Sequence, residues 1–74
     1  DPNEFSIERV NEGWRVVGQS IERAAQMTYW EYDQSVRRFQ RILETLGIDQ
    51  ALRDAGVQQG DTVLIGDFEL EWED

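Results

Sequence analysis

Cysteine, histidine and lysine are all missing from this chain, and Pro2 is its only proline. Without cysteine there is no disulfide framework and no thiolate zinc site, which suits a reducing cytosol. Without histidine the usual proton shuttle and the commonest metal ligand are gone, so neither a Ser-His nor a Cys-His pairing can be built. No apolar run approaches the roughly 20 residues that a membrane span needs, and no signal-peptide pattern opens the chain. No G-x-x-x-x-G-K-[ST] loop and no G-x-G-x-x-G is present to cradle a phosphate. Internal repeats, low-complexity stretches and linkers are likewise missing.

What is there is acidic and short. Sixteen carboxylates face seven arginines, for a formal charge of −9 over 74 residues. That balance disfavours non-specific binding to nucleic-acid backbones, which needs basic surface, so no DNA contact is expected. A chain this short is one domain, burying only about 60% of its unfolded surface, which leaves little room for a deep cleft. It opens on Asp1 and carries its one methionine at Met27, so it is expected to be a processed or excised piece of something longer.

The periodicities give an α+β domain in the order ββαααββ. Phe5 to Val10 alternates as a strand, and Trp14 to Val17 returns after a turn at Gly13. A two-residue Glu12-Gly13 loop puts Phe5, Ile7, Trp14 and Val16 on one face. A three-residue loop with a bulge would instead set Phe5 and Ile7 with Val17. The first is preferred because it gathers the larger apolar set. Gly18 and Ser20 break the strand ahead of a short helix from Ile21 to about Met27. Thr28-Tyr29-Trp30-Glu31 then matches a capping box, followed by a helical stripe of Tyr32, Val36, Phe39, Leu43 and Leu46. Gly47 is expected to stop that helix in the left-handed conformation, with Ile48 folding back onto Leu43. Asp49 caps a third helix, which Gly56 ends in the same way. Gly66-Asp67 is a two-residue hairpin loop that pairs Ile65 with Phe68, Val63 with Leu70 and Asp61 with Trp72. Val63, Ile65, Phe68, Leu70 and Trp72 then share the inner face. Leu64 falls on the outer face with Thr62, Glu69 and Glu71. The two hairpins form a small, mainly antiparallel sheet with the helices on one side.

Four groups of residues could carry chemistry. Asp61, Asp67 and Glu69 would have to converge to hold a hard cation. The register sets Asp61 at the open end of its hairpin and Asp67 at the tip, roughly 13 Å apart, so turn chemistry is the preferred reading. Glu69, Glu71, Glu73 and Asp74 lie along the solvent side of a strand, where they read as a guard against edge aggregation rather than as acid and base. Arg37, Arg38 and Arg41 form the only basic cluster, on the flank of the long helix. Asp33–Arg37 and Arg41–Glu44 ion pairs are their ordinary explanation; contact with phosphate or an acidic partner is the functional one. Among Tyr29, Trp30 and Tyr32 some must be core, and one, with Leu64, is open as an exposed anchor for a partner. No catalytic, cofactor-binding or metal-binding residue is assigned.

Two long stretches, "WRVVGQSIERAAQMT" and "RRFQRILETLGIDQALRDAGVQQGDTVLIGDFELEW", closely resemble the C-terminal domain of the Obg-family GTPases. The resemblance runs from Phe5 to Trp72. Its most specific parts are Val17-Gly18 leading into Ile21-Glu22-Arg23, Met27-Thr28, Leu46-Gly47 before Ala51-Leu52, Ala55-Gly56-Val57, and Gly60-Asp61 through Ile65-Gly66, with Phe68-Glu69 completing the run. It implies a parent with a glycine-rich N-terminal domain and a GTP-binding domain that uses GTP and Mg2+, both outside these residues. It further implies a cytoplasmic or organellar protein that associates with the large ribosomal subunit during assembly and takes part in stress and growth control. In that setting this piece is a non-catalytic accessory domain, placed in the cytoplasm, away from membranes. Its arginine cluster is expected to face ribosomal RNA and its acidic face basic ribosomal proteins. The alternative is a free-standing acidic interaction module that binds a basic partner.

Overall fold

The computed structural model describes residues 1–74. Strands β1 (Ser6–Val10) and β2 (Gly13–Val17) form the first hairpin, and β3 (Thr62–Ile65) and β4 (Phe68–Glu71) the second. Between them run helices α1 (Gln19–Gln26), α2 (Asp33–Leu46) and α3 (Ile48–Ala55). The sheet order is β1-β2-β3-β4, antiparallel within each hairpin and parallel where β2 meets β3. Parallel neighbours need a long crossover, and the three helices supply it.

The second hairpin has the expected register, Ile65 opposite Phe68 and Val63 opposite Leu70. Beyond the last ladder pair, the Trp72 amide donates to the Asp61 carbonyl at 2.7 Å. The first hairpin differs from expectation in its loop. Val10 pairs with Gly13, so Asn11 and Glu12 form the turn and Gly13 already belongs to β2. The observed register differs from the expected one by an even number of positions, so every side chain keeps its face. Trp14 and Val16 are accordingly buried, and Phe5 and Ile7 pack beside them. Gly13 serves the sheet more than the turn. Its φ is +145°, and a Cβ there would meet the Thr62 carbonyl oxygen at 2.2 Å, so the close approach of β2 to β3 depends on its bare backbone.

The helix starts also depart from the local signals. Thr28 does not cap α2: its hydroxyl donates back to the Ala24 carbonyl at 2.7 Å, a bond that finishes α1. Tyr32 is the N-cap of α2 and caps through no side chain. The carboxylate that reaches back to a helix start is Glu22, which accepts from the Gly18 amide at 2.9 Å. Asp49 likewise does not cap α3, whose N-cap is Gly47; its carboxylate turns along the helix to Arg53 at 3.1 Å. The two glycine stops are as expected, with Ile48 opening α3 directly after Gly47. Gly47 and Gly56 are left-handed, and the Val57 amide closes on the Leu52 carbonyl at 3.0 Å in a Schellman turn.

Nine side chains make the core: Trp14 and Val16 from β2, Val63 and Ile65 from β3, and Ile21, Ala25, Phe39, Ile48 and Leu52 from the helices. The helices therefore cover the two central strands. Phe68, Leu70 and Trp72 on β4 and its extension remain half-buried, and this uneven cover shapes the surface described next. No helix is long and apolar enough to cross a membrane.

Candidate functional site

Helix α2 turns Phe39 into the core with Ile42, Leu43 and Leu46 packed around it. Tyr32, placed in the same stripe by spacing, is instead 63% exposed, because α2 begins only after it. The opposite flank carries Gln34, Arg37, Arg38 and Arg41 at helical intervals of three and four. With Ser35 these side chains line a shallow concavity that has no apolar residue in it.

The expected ion pairs of this flank do not form. The only salt bridges are Arg53–Asp49 at 3.1 Å and Arg15–Glu8 at 3.8 Å, so Arg37 stands unpaired with Asp33 and Arg41 with Glu44. An exposed helical pair gains only a few tenths of a kcal/mol, too little to hold two long side chains against their rotamer entropy. Three guanidinium groups thus stand together without a carboxylate. Each presents a planar fork of donors, the geometry that phosphate accepts bidentately.

Next to this flank lie the exposed aromatics. Tyr29 and Tyr32 are 66% and 63% exposed, with ring centroids 6.3 Å apart and edge to face. The Ser35 hydroxyl accepts from the Tyr29 amide at 2.8 Å, which fixes the pair against the first turn of α2. Met27 is exposed at the end of α1. Of the three aromatics at this junction, only Trp30 turns inward, half-buried against the core with its ring 5.0 Å from Phe39 and 5.5 Å from Phe68. Leu64 is half-buried on the outer face rather than an exposed anchor.

The carboxylates do not gather. No group of three acidic residues is placed to hold a metal ion, and Asp67 stays in the turn beyond Ile65 and Phe68. Asp61 has a structural task. Its Oδ2 accepts from the Gln58 amide at 2.9 Å and from the Trp14 indole Nε1 at 3.1 Å. The Gln58 amide above all, then the indole, and finally the charge of Arg9 hold the Asp61 carboxyl below its ordinary value, against a smaller opposing effect of burial. Arg9 stacks over Trp14 at 4.6 Å from the ring centroid. This cluster has no local signature in the sequence because it spans β1, β2 and the approach to β3. The available signal was a tryptophan on a strand's buried face, whose indole N–H needs an acceptor.

The chain matches one family, described as "Domain of unknown function (DUF1967)", over residues 5–72. It is 46% identical to the "Probable GTP-binding protein OBGC1, chloroplastic" of Oryza sativa subsp. indica, over 97% of this chain and 10% of that protein. It is 51% identical to the "GTPase Obg" of Desulforamulus reducens, over 97% of this chain and 18% of the relative. For the "GTPase Obg" of Chloroflexus aggregans the identity is 49%, over 100% of this chain and 17% of the relative. The chain therefore spans less than a fifth of the length of these relatives.

Proposed function

This chain belongs to the DUF1967 family, the C-terminal domain of Obg GTPases, and we propose that it is a non-catalytic accessory and regulatory module of a GTP-binding parent. The parent acts in assembly of the large ribosomal subunit and in stress and growth control, in the cytoplasm. GTP and Mg2+ belong to the parent's GTP-binding domain. The observation that carries this reading is the family match, which takes in residues 5–72 of 74. The nucleotide chemistry in the relatives' names is theirs; none of its motifs occurs among these residues.

Within that role, the arginine flank of α2 is the docking face. Ribosomal RNA is polyanionic and is repelled by most of this chain's −9 surface. Arg37, Arg38 and Arg41 are the one place where unpaired guanidinium groups cluster, and Tyr29 and Tyr32 beside them offer faces on which unstacked bases can rest. The acidic hairpin, with Glu69, Glu71 and Glu73, turns toward solvent or a basic ribosomal protein.

The coding sequence upstream of Asp1 tests the assignment. It is expected to encode a phosphate-binding loop and a guanine-specificity motif, and their absence would contradict it. A second reading, an acidic module that acts alone, is favoured by the net charge. It requires binding to a basic partner that fades as salt rises.

A further inference from the structure

We propose a second docking site, independent of the arginine flank. It lies along β4 and takes an extended segment of a partner protein in which basic and apolar residues alternate. Because the helices cover β2 and β3 but only graze β4, a cleft of about 500 Å³ opens between that strand and helices α2 and α3. Val63 and Leu70 form its sheet side, Phe39 and Leu43 its helical side, and Trp30 and Trp72 also line it. The lining is mainly apolar, and the volume lies within the range of formed ligand pockets. Trp30 has a covered indole N–H without an acceptor. A buried donor left so is costly, and an incoming backbone carbonyl is the kind of group it lacks.

The occupant follows from the charges and the pleat. Glu44, Asp49, Glu71 and Glu73 border the cleft against a single arginine, Arg53, which is already paired with Asp49. β4 is an edge strand, hydrogen-bonded on one side only. The Trp72 amide donates to the Asp61 carbonyl, and the Trp72 carbonyl accepts from the Gly60 amide. Trp72, Leu70 and Phe68 therefore face their backbone groups toward β3. Antiparallel alternation then leaves the N–H and C=O of Glu69 and Glu71 facing outward, free to pair. Glu69 and Glu71 also hold their side chains on the exposed face. A strand added here places every second residue opposite these two glutamates and drops the residues between them toward the cleft. Basic residues suit the first set and aliphatic ones the second. A second copy of this chain does not fit, since two β4 edges would set glutamate opposite glutamate. This is strand addition with side-chain pockets.

The test is titration of the ¹⁵N-labelled chain with the hexapeptide Lys-Val-Arg-Leu-Lys-Val and with its block isomer Lys-Arg-Lys-Val-Leu-Val. The alternating peptide is expected to bind about tenfold more tightly than its isomer. It should protect the Glu69 and Glu71 amides from exchange and shift the Trp30 and Trp72 indole resonances. The E69K/E71K variant, altered only at exposed positions, should lose at least about tenfold in affinity, whereas R37E/R38E/R41E, which adds negative charge away from β4, should bind the peptide at least as tightly as the unaltered chain does. Equal binding of the two peptides, binding without protection of those two amides, or no binding at all would each overturn the proposal. None of these results bears on the arginine flank.

Discussion

Trp14 and Asp61 are 47 positions apart in the chain and joined by a hydrogen bond of 3.1 Å from the indole Nε1 to Oδ2. The same carboxylate oxygen receives the Gln58 amide at 2.9 Å, so one atom ties the buried face of β2 to the loop that enters β3. Alanine at position 61 removes the acceptor from both donors and leaves a nearly buried indole unpaired. D61A is expected to lower the urea midpoint clearly and D61N less, while W14F loses the indole bond together with core volume at a buried position. A D61A midpoint equal to that of the unaltered chain would deny the bond a structural role.

The same bonds make a pH prediction. They hold the folded pKa of Asp61 below its ordinary value of 3.8. The unfolded chain therefore takes up this proton first as the solution is acidified. The stabilisation is complete above the ordinary value and is lost as pH falls toward the folded one. Stability of the unaltered chain should fall more steeply below about pH 4 than that of D61N. Chemical denaturation across that window checks it, and parallel profiles would contradict it.

Two glycine substitutions separate close approach from backbone conformation. Gly56 is left-handed with nothing within 4 Å of an added Cβ, so G56A is expected to cost about 1–2 kcal/mol. Gly13 also has positive φ, but its Cβ would lie 2.2 Å from the Thr62 carbonyl oxygen. G13A should therefore cost about 2–4 kcal/mol and loosen the parallel seam between β2 and β3. Thermal melts of both variants decide it; equal losses would mean that the seam tolerates a methyl group.

How much of this was legible in the sequence depends on how local its cause is. Gly66-Asp67 sets the register of the second hairpin within a few residues, and that register is the observed one. Gly13 looked like a turn glycine because its real neighbour, Thr62, arrives only when the crossover closes. Thr28 satisfied a capping pattern but had a nearer acceptor in the Ala24 carbonyl. At the arginine flank the spacing located the residues; their lack of partners depended on small energies that spacing does not rank. The cleft along β4 has no local signature, since it is the space left where helices from one part of the chain fail to cover a strand from another.

The most direct test of the docking role is sedimentation of the full-length parent with large ribosomal subunits, comparing unaltered protein with R37E/R38E/R41E. On the proposed docking, reversing the three arginines removes three phosphate contacts, which should weaken association and reduce the salt dependence of binding by a slope of about 2–3. GTP hydrolysis and the fold of this domain should be unchanged, as the three side chains are exposed and make no salt bridge. Association that is weaker at moderate salt with hydrolysis intact is the predicted result. Unchanged association would contradict it and leave the arginines as ordinary solvated surface.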